Sequence, residues 1–258
     1  MSQCARLLIP FLLLPACRAQ DNAPGVVSAA SSAPVIRSAE PAAQPPPTAS
    51  GVASPSPSAA PVPGSGRSWS FDDGRTDSAP SGFAFGRTGE GREGKWIVRS
   101  DPTAPSGSLV LAQVDADKTD DRFPIAFATE PMLKDLELRV RCKPISGAVD
   151  QACGLVFRLK DARNYYVTRA NALENNVRLY FVKDGRRQQL ASWSGKVTAN
   201  TWHEYRVVAR GEHIEVFWNG VKVLDHHDAT FSEAGKIGVW TKADSVTHFD
   251  DLRVEPLG

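Results

Sequence analysis

Glu212-His213-Ile214-Glu215-Val216-Phe217-Trp218-Asn219-Gly220-Val221-Lys222-Val223-Leu224 is the stretch that decides the fold class. Ile214, Val216 and Trp218 alternate with His213, Glu215 and Phe217, the period of two that a strand shows when one face meets a core. Asn219-Gly220 follows at once. This pair best tolerates positive φ at both central positions of a type I′ turn, and Val221 to Leu224 then resume an extended pattern, which predicts a hairpin. Beyond a loop over Asp225 to Ala234, Ile237 and Val239 alternate with Gly238 and Trp240, and Val246 to Val254 supplies another strand. The whole run from Glu212 to Val254 reads as an antiparallel meander.

Working towards the N-terminus, the same period recurs. Leu136, Leu138, Val140 and Cys142 alternate with Glu137, Arg139 and Arg141, giving one buried and one solvated face. Short extended runs are also expected at Trp69, Lys95–Arg99, Leu109, Ile125, Gly154–Lys160, Asn164–Ala170, Val177–Lys183, Gln188–Trp193 and Trp202–Ala209. Turn chemistry at Asp161-Ala162-Arg163 and Lys183-Asp184-Gly185-Arg186 separates several of them. No helical period competes and no internal repeat is visible. Residues 67–258 therefore predict one all-β domain of about a dozen strands in two packed antiparallel sheets.

The residues before 67 are a different material. Residues 1–16 read as a secretory signal, with Arg6 ahead of an apolar run, Leu7–Leu14, too short to span a bilayer. Leu14-Pro15-Ala16-Cys17 resembles the lipobox of bacterial lipoproteins, which implies lipid on Cys17; plain secretion is the alternative. Residues 17–66 are rich in Pro, Ala and Ser, cannot bury a core, and read as a disordered tether with an extended reach of roughly 150 Å. The expected location is the bacterial cell envelope, facing the periplasm or the cell surface, with membrane contact through the lipid anchor only. A net charge of +1 over 258 residues gives no field to attract nucleic acid. With Cys4 in the signal and Cys17 lipidated, Cys142 and Cys153 remain as an even pair in an oxidising compartment. They are expected to form a disulfide between neighbouring strands, with two free buried thiols as the alternative.

Asn164-Tyr165-Tyr166-Val167, Arg169-Ala170-Asn171-Ala172-Leu173-Glu174-Asn175-Asn176, Trp218-Asn219-Gly220 and Trp240-Thr241-Lys242-Ala243-Asp244-Ser245 carry a resemblance. They are similar to a bacterial family of domains of unknown function related to 3-keto-disaccharide hydrolases. The resemblance implies a concanavalin A-like jelly roll, akin to laminin G and family 16 glucanase sandwiches, whose concave face binds glycan. Within these motifs Tyr166, Arg169, Asn171, Glu174, Asn176, Trp240 and Lys242 are the candidate ligand-binding residues. An aromatic can lie under a pyranose while amides and charged forks satisfy its hydroxyls.

Catalysis would need paired carboxylates. The Glu-x-Asp-x-x-Glu run of a family 16 glucanase does not occur, which leaves Glu174, Glu215, Asp225 and Asp244 as candidates and no assigned catalytic residue. Jelly-roll sugar-binding modules often hold a structural calcium ion between the first and last strands, so Asp72, Asp73, Asp250 and Asp251 are the candidate oxygen ligands. The acidic turn from Asp115 to Asp121 is a second, poorer match. His226 and His227 are adjacent and face opposite ways on a strand, which argues against their sharing a metal. Three functions stay open: a carbohydrate-binding domain, a glycoside hydrolase or lyase, and a structural or protein-binding sandwich.

Overall fold

The computed structural model describes residues 66–258; the expected signal peptide, the expected lipidation at Cys17 and the expected tether up to residue 65 lie outside the described residues. Fifteen strands form among them: β1 (Arg67–Trp69), β2 (Phe83–Gly89), β3 (Trp96–Ser100), β4 (Leu109–Gln113), β5 (Arg122–Ala128), β6 (Leu136–Ser146), β7 (Ala152–Asp161) and β8 (Asn164–Asn171). They continue with β9 (Asn176–Lys183), β10 (Arg186–Ser194), β11 (His203–Arg210), β12 (His213–Trp218), β13 (Val221–His227), β14 (Lys236–Trp240) and β15 (Val246–Pro256).

Two antiparallel sheets pack as a jelly-roll sandwich. The first has the order β13-β12-β11-β6-β15-β4-β3, with β1 also pairing β15; the second runs β10-β9-β8-β7-β14-β5-β2. The β12–β13 hairpin forms as its sequence predicts, and Asn219 and Gly220 take φ of 49° and 80°. The meander does not continue. β14 crosses to the second sheet between β7 and β5, and β15 returns to the first between β6 and β4. A period-two pattern marks which residues face a core, and both sheets share this one, so the pattern does not say which sheet a strand joins.

The shared core lies between the sheets. Leu138, Val140, Val207, Ile214, Val216 and Phe249 face Leu155, Phe157, Tyr166, Leu179, Ile237 and Val239 across it. Cys142 on β6 and Cys153 on β7 are bonded, with their Cα atoms 6.4 Å apart. The bond thus ties the two sheets together rather than neighbours in one sheet, although both sulfurs point inward as expected. Closing this loop contributes roughly 2 to 3 kcal/mol through the unfolded chain. Replacing both cysteines by alanine is expected to lower the melting temperature by roughly 5 to 10 °C. An unchanged melting temperature would show that the bridge adds nothing.

A second apolar cluster covers the outer face of the second sheet. It contains Phe123, Ile125, Val156, Tyr165, Val167, Tyr180, Val182 and Trp240. The Arg187 guanidinium on β10 lies 4.6 Å from the Phe123 ring on β5 and 4.7 Å from that of Tyr180. Five strand spacings separate β10 from β5, roughly 24 Å on a flat sheet, far beyond the reach of an arginine. The outer face must therefore bend into a hollow, which these buried side chains fill and Arg187 covers.

Candidate functional site

Strand register sorts the candidate residues before any contact is considered. On β8, Tyr166 and Ala170 face the shared core, so Tyr165, Val167, Arg169 and Asn171 face outward into the hollow. Arg169 sits opposite Arg178 on β9 and Gly154 on β7, and Gly154 sits opposite Trp240 on β14. A Cβ on Gly154 would come within 3.2 Å of the Trp240 ring and 3.3 Å of the Arg169 Cβ, so the bare backbone lets these two side chains approach.

One end of the hollow carries a connected polar network. The buried Arg169 guanidinium donates to Glu174 Oε2 at 3.0 Å, to Tyr180 Oη at 3.4 Å and to Asn176 Oδ1. Glu174 Oε2 also accepts from Asn176 Nδ2 at 2.9 Å and lies 3.2 Å from Arg178 Nη1. Asn171 Nδ2 donates to Asp150 Oδ1 at 2.8 Å, and its side-chain Oδ1 accepts the Leu173 N–H at 2.9 Å, which fixes the turn that carries Glu174. Lys242 lies 3.1 Å from Asp150 Oδ2 and also pairs with Asp120.

Charge is distributed unevenly over this network. Burial pushes the Asp150 carboxyl above the ordinary carboxylate range, and the nearby Lys242 charge only partly opposes it. Burial also works against Glu174, but hydrogen bonds from Asn176 and Arg169 and the arginine charges hold it below its usual value. At Asp244 burial is outweighed by three backbone donors, the N–H groups of Ala148, Val149 and Asp150 at 2.8 to 3.0 Å. Asp244 is thereby spent on holding the loop that delivers Asp150. Two carboxyls at one end of the hollow, Asp150 and Glu174, therefore sit in environments that push their proton affinities apart, linked by cations.

Five of the seven residues expected to bind ligand come together here: Arg169, Asn171, Glu174, Asn176 and Lys242. Tyr166 does not. It faces the shared core, where its hydroxyl meets Asp228 and the Phe231 N–H, so it corrects the expectation. Trp240 does face the hollow but is fully buried, its indole stacked on Phe123 at 5.5 Å and 11°, and it offers no open platform. Asp150, Arg178 and Tyr180 belong to the network and were missed. The odd-numbered parity of Arg169 could have flagged Arg178 and Tyr180 only with the β8–β9 register in hand. Glu215 and Asp225 lie on the β12–β13 hairpin of the other sheet, outside the hollow.

Three of the four candidate calcium residues, Asp72, Asp250 and Asp251, flank the loop from Ser106 to Leu109. Asp72 Oδ1 accepts the N–H groups of Ser108 and Leu109 at 2.9 and 3.1 Å. Asp250 Oδ2 accepts the Ser106 N–H at 3.1 Å, and Asp251 Oδ1 accepts its hydroxyl at 2.7 Å. Burial, with Asp251 and Asp72 nearby, pushes the fully buried Asp250 up to about 6. Asp73 is exposed and makes none of these contacts. The carboxylates flank one loop, but Asp72, Asp250 and Asp251 do not bring three oxygens within 4.8 Å of one another, so their side chains would have to close to share a hard cation. The acidic turn is otherwise engaged: Asp115 pairs with Arg92 and Arg122, and Asp117 accepts from Arg92 and Thr119.

Among solved structures, the carbohydrate-binding module CBM66 from Bacillus subtilis superposes with a TM-score of 0.55 at 19% identity, over 67% of this chain and 95% of that one. The Bacillus licheniformis beta-glucanase superposes with a TM-score of 0.51 at 11% identity, over 75% and 99%. At these identities the likeness is one of fold. A levanase of Bacillus subtilis (strain 168) is 29% identical over 92 residues, 34% of this chain; the match spans 13% of the levanase. Residues 86–255 match the family described as the 3-keto-alpha-glucoside-1,2-lyase-like domain, from β2 to the end of β15. The match takes in both sheets and the whole polar network of the hollow, and on that ground the chain belongs to the 3-keto-alpha-glucoside-1,2-lyase-like domain family.

Proposed function

We propose that this chain is the carbohydrate-binding jelly-roll domain of an exported lipoprotein, and that a glycan sits at the polar end of the hollow. The observation that carries the reading is the buried Arg169 fork, shared among Glu174, Asn176 and Tyr180, with the part-exposed Glu174 and Arg178 at its rim. Donors and acceptors held in advance suit vicinal hydroxyls, because binding then orders little on the protein side. Recognition is by hydrogen bonding rather than by stacking on Trp240. A glycan array identifies the ligand, and titration of Arg178→Ala then tests the site. A hydrogen bond to a charged group is worth about 1.5 to 3 kcal/mol, so affinity falls about 10- to 100-fold. Unchanged affinity in a folded variant would remove the glycan from this end.

A second reading, a lyase, is favoured by Asp150. A buried carboxyl with raised proton affinity beside a lysine is suited to acid–base work. In a 3-keto-glucoside the carbonyl acidifies the C2 hydrogen. A base takes that proton, the C1–O bond breaks, C1 and C2 become doubly bonded, and the departing oxygen receives a proton. The product is an enone that absorbs in the ultraviolet. Its appearance with wild type and its absence with Asp150→Asn would support the lyase; no product from any 3-keto-glycoside would leave the binding reading. Failure of both tests would favour a protein-binding sandwich without a sugar site.

Lipid on Cys17 belongs to the same proposal, and palmitate labelling that persists in Cys17→Ala would reject it. Calcium on Asp72, Asp250 and Asp251 does as well. Calcium is expected to raise the melting temperature by several degrees over a chelator, since ligand bound only to the folded state stabilises by about 2.7 kcal/mol at a hundred times its Kd. Equal melting in both buffers would exclude the ion.

A further inference from the structure

The hairpin that decides the fold also assembles a group of side chains with no part in the hollow. Pairing of β12 with β13 sets His213 directly opposite His227, and Glu215 opposite Asp225. The two imidazoles stack at 4.6 Å and 12°. His213 Nε2 lies 2.8 Å from Asp225 Oδ1, while the other carboxylate oxygen of Asp225 takes Lys222 Nζ at 2.6 Å. One ligand atom from each of His213, Asp225 and His227 falls within 4.8 Å of the others. Among the described residues this is the group of three His, Cys, Asp or Glu side chains that comes so close.

From these positions we propose a zinc site on the β12–β13 hairpin, with His213, His227 and Asp225 as protein ligands and water completing the shell. Two imidazoles and one carboxylate suit a borderline ion such as Zn²⁺ rather than calcium or magnesium. Tetrahedral zinc with bonds near 2.0 to 2.1 Å sets its ligands roughly 3.3 Å apart, so His227, within 4.8 Å of the other two, needs to close by about an ångström while His213 Nε2 and Asp225 Oδ1, 2.8 Å apart, open by about half an ångström. His227 and Asp225 are exposed and His213 is half-buried, so rotation of the side chains can supply that without moving the backbone. Zinc takes the place of the hydrogen between His213 Nε2 and Asp225 Oδ1, and any proton displaced from the imidazole passes to solvent. Lys222 keeps its contact with Glu215 Oε1 at 3.0 Å. The consequence is mechanical: β13 is the edge strand of its sheet, and the ion bolts it to β12.

The test is calorimetric titration of ZnCl₂ into the untagged full chain at neutral pH. Free thiols are alkylated and calcium is in excess, so that neither sulfur nor the Asp72 cluster competes. One equivalent is expected to bind, with at least a tenfold loss of affinity in both His213→Ala and His227→Ala. His226→Ala, whose side chain lies on the opposite face of β13, should bind like wild type. Absence of saturable binding overturns the proposal, as does binding that survives either substitution or is weakened as much by His226→Ala.

Discussion

Replacing Arg158 by methionine is expected to lower the unfolding free energy by about 3 to 5 kcal/mol. Arg158 is fully buried on β7 at a bulge with φ of 46°. Its guanidinium donates to the carbonyls of Lys134 at 2.8 Å, Phe231 at 2.9 Å and Gly211 at 2.7 Å. These carbonyls belong to the β5–β6 connection, the β13–β14 connection and the β11–β12 turn, so one planar cation closes an end of the sandwich by gathering three separate connections. Methionine fills similar space and donates nothing. Three carbonyls then lose their partner, and burial already disfavours the charge enough to draw the Arg158 pKa below its ordinary value. Lysine should rescue only part of the loss, because a point charge cannot reproduce the fork. Urea unfolding measures the difference, and a loss under 1 kcal/mol for methionine would mean that water takes over the carbonyls at little cost.

Arg158 also marks where sequence reading stops. Alternation at Ile214, Val216 and Trp218 made a strand legible, and Asn219-Gly220 made its turn legible, because both signals are local. Leu136 to Cys142 was legible in the same way and keeps its predicted faces. Sheet membership was not, since parity for one shared core is identical in either sheet; hence β14 departs from the expected meander and the disulfide spans the sandwich. Buried arginines were illegible for a different reason. A charged residue is ordinarily solvated, and only the convergence of distant carbonyls on Arg158, or of the Arg92, Glu93, Asp115 and Ala243 carbonyls on Arg122, makes burial tolerable.

The candidate site was half legible. Arg169, Asn171, Glu174 and Asn176 stand close in sequence because β8, its turn and the start of β9 are continuous, so a motif could point to them. Tyr166 stood in the same stretch yet its even number places it in the core, a distinction the parity of β8 already contained. Asp150 reaches the network from the β6–β7 loop through a clamp by Asp244, 94 residues away, and no local pattern encodes that pairing. His213 and His227 likewise meet only through the register of their hairpin.

Asp250→Asn is expected to stabilise the protein at neutral pH in chelator, the reverse of what removing a buried hydrogen-bonded charge usually does. Burial, reinforced by Asp251 and Asp72, raises the folded-state value to about 6, against about 3.9 for an unfolded aspartate. Between those values the native state holds a proton that the unfolded chain has released, so this group's contribution falls as pH rises from about 4 to about 6 and stays low above it. Two units correspond to about 2 to 3 kcal/mol. Asparagine cannot ionise, and it can still accept from the Ser106 or Asp251 N–H, so after about 1 kcal/mol for weaker hydrogen bonds the variant should gain about 1 to 2 kcal/mol at pH 7. Near pH 4 the gain should vanish. Asp244 and Asp101, whose values lie below normal, lose their own contributions only as pH falls further, and they do so equally in both proteins. A cation seated on Asp72, Asp250 and Asp251 would relieve the same repulsion, so calcium should stabilise wild type and leave the variant nearly unmoved. A variant less stable than wild type at pH 7 in chelator would mean that the carboxylates around Ser106 tolerate their charge without either a proton or a metal.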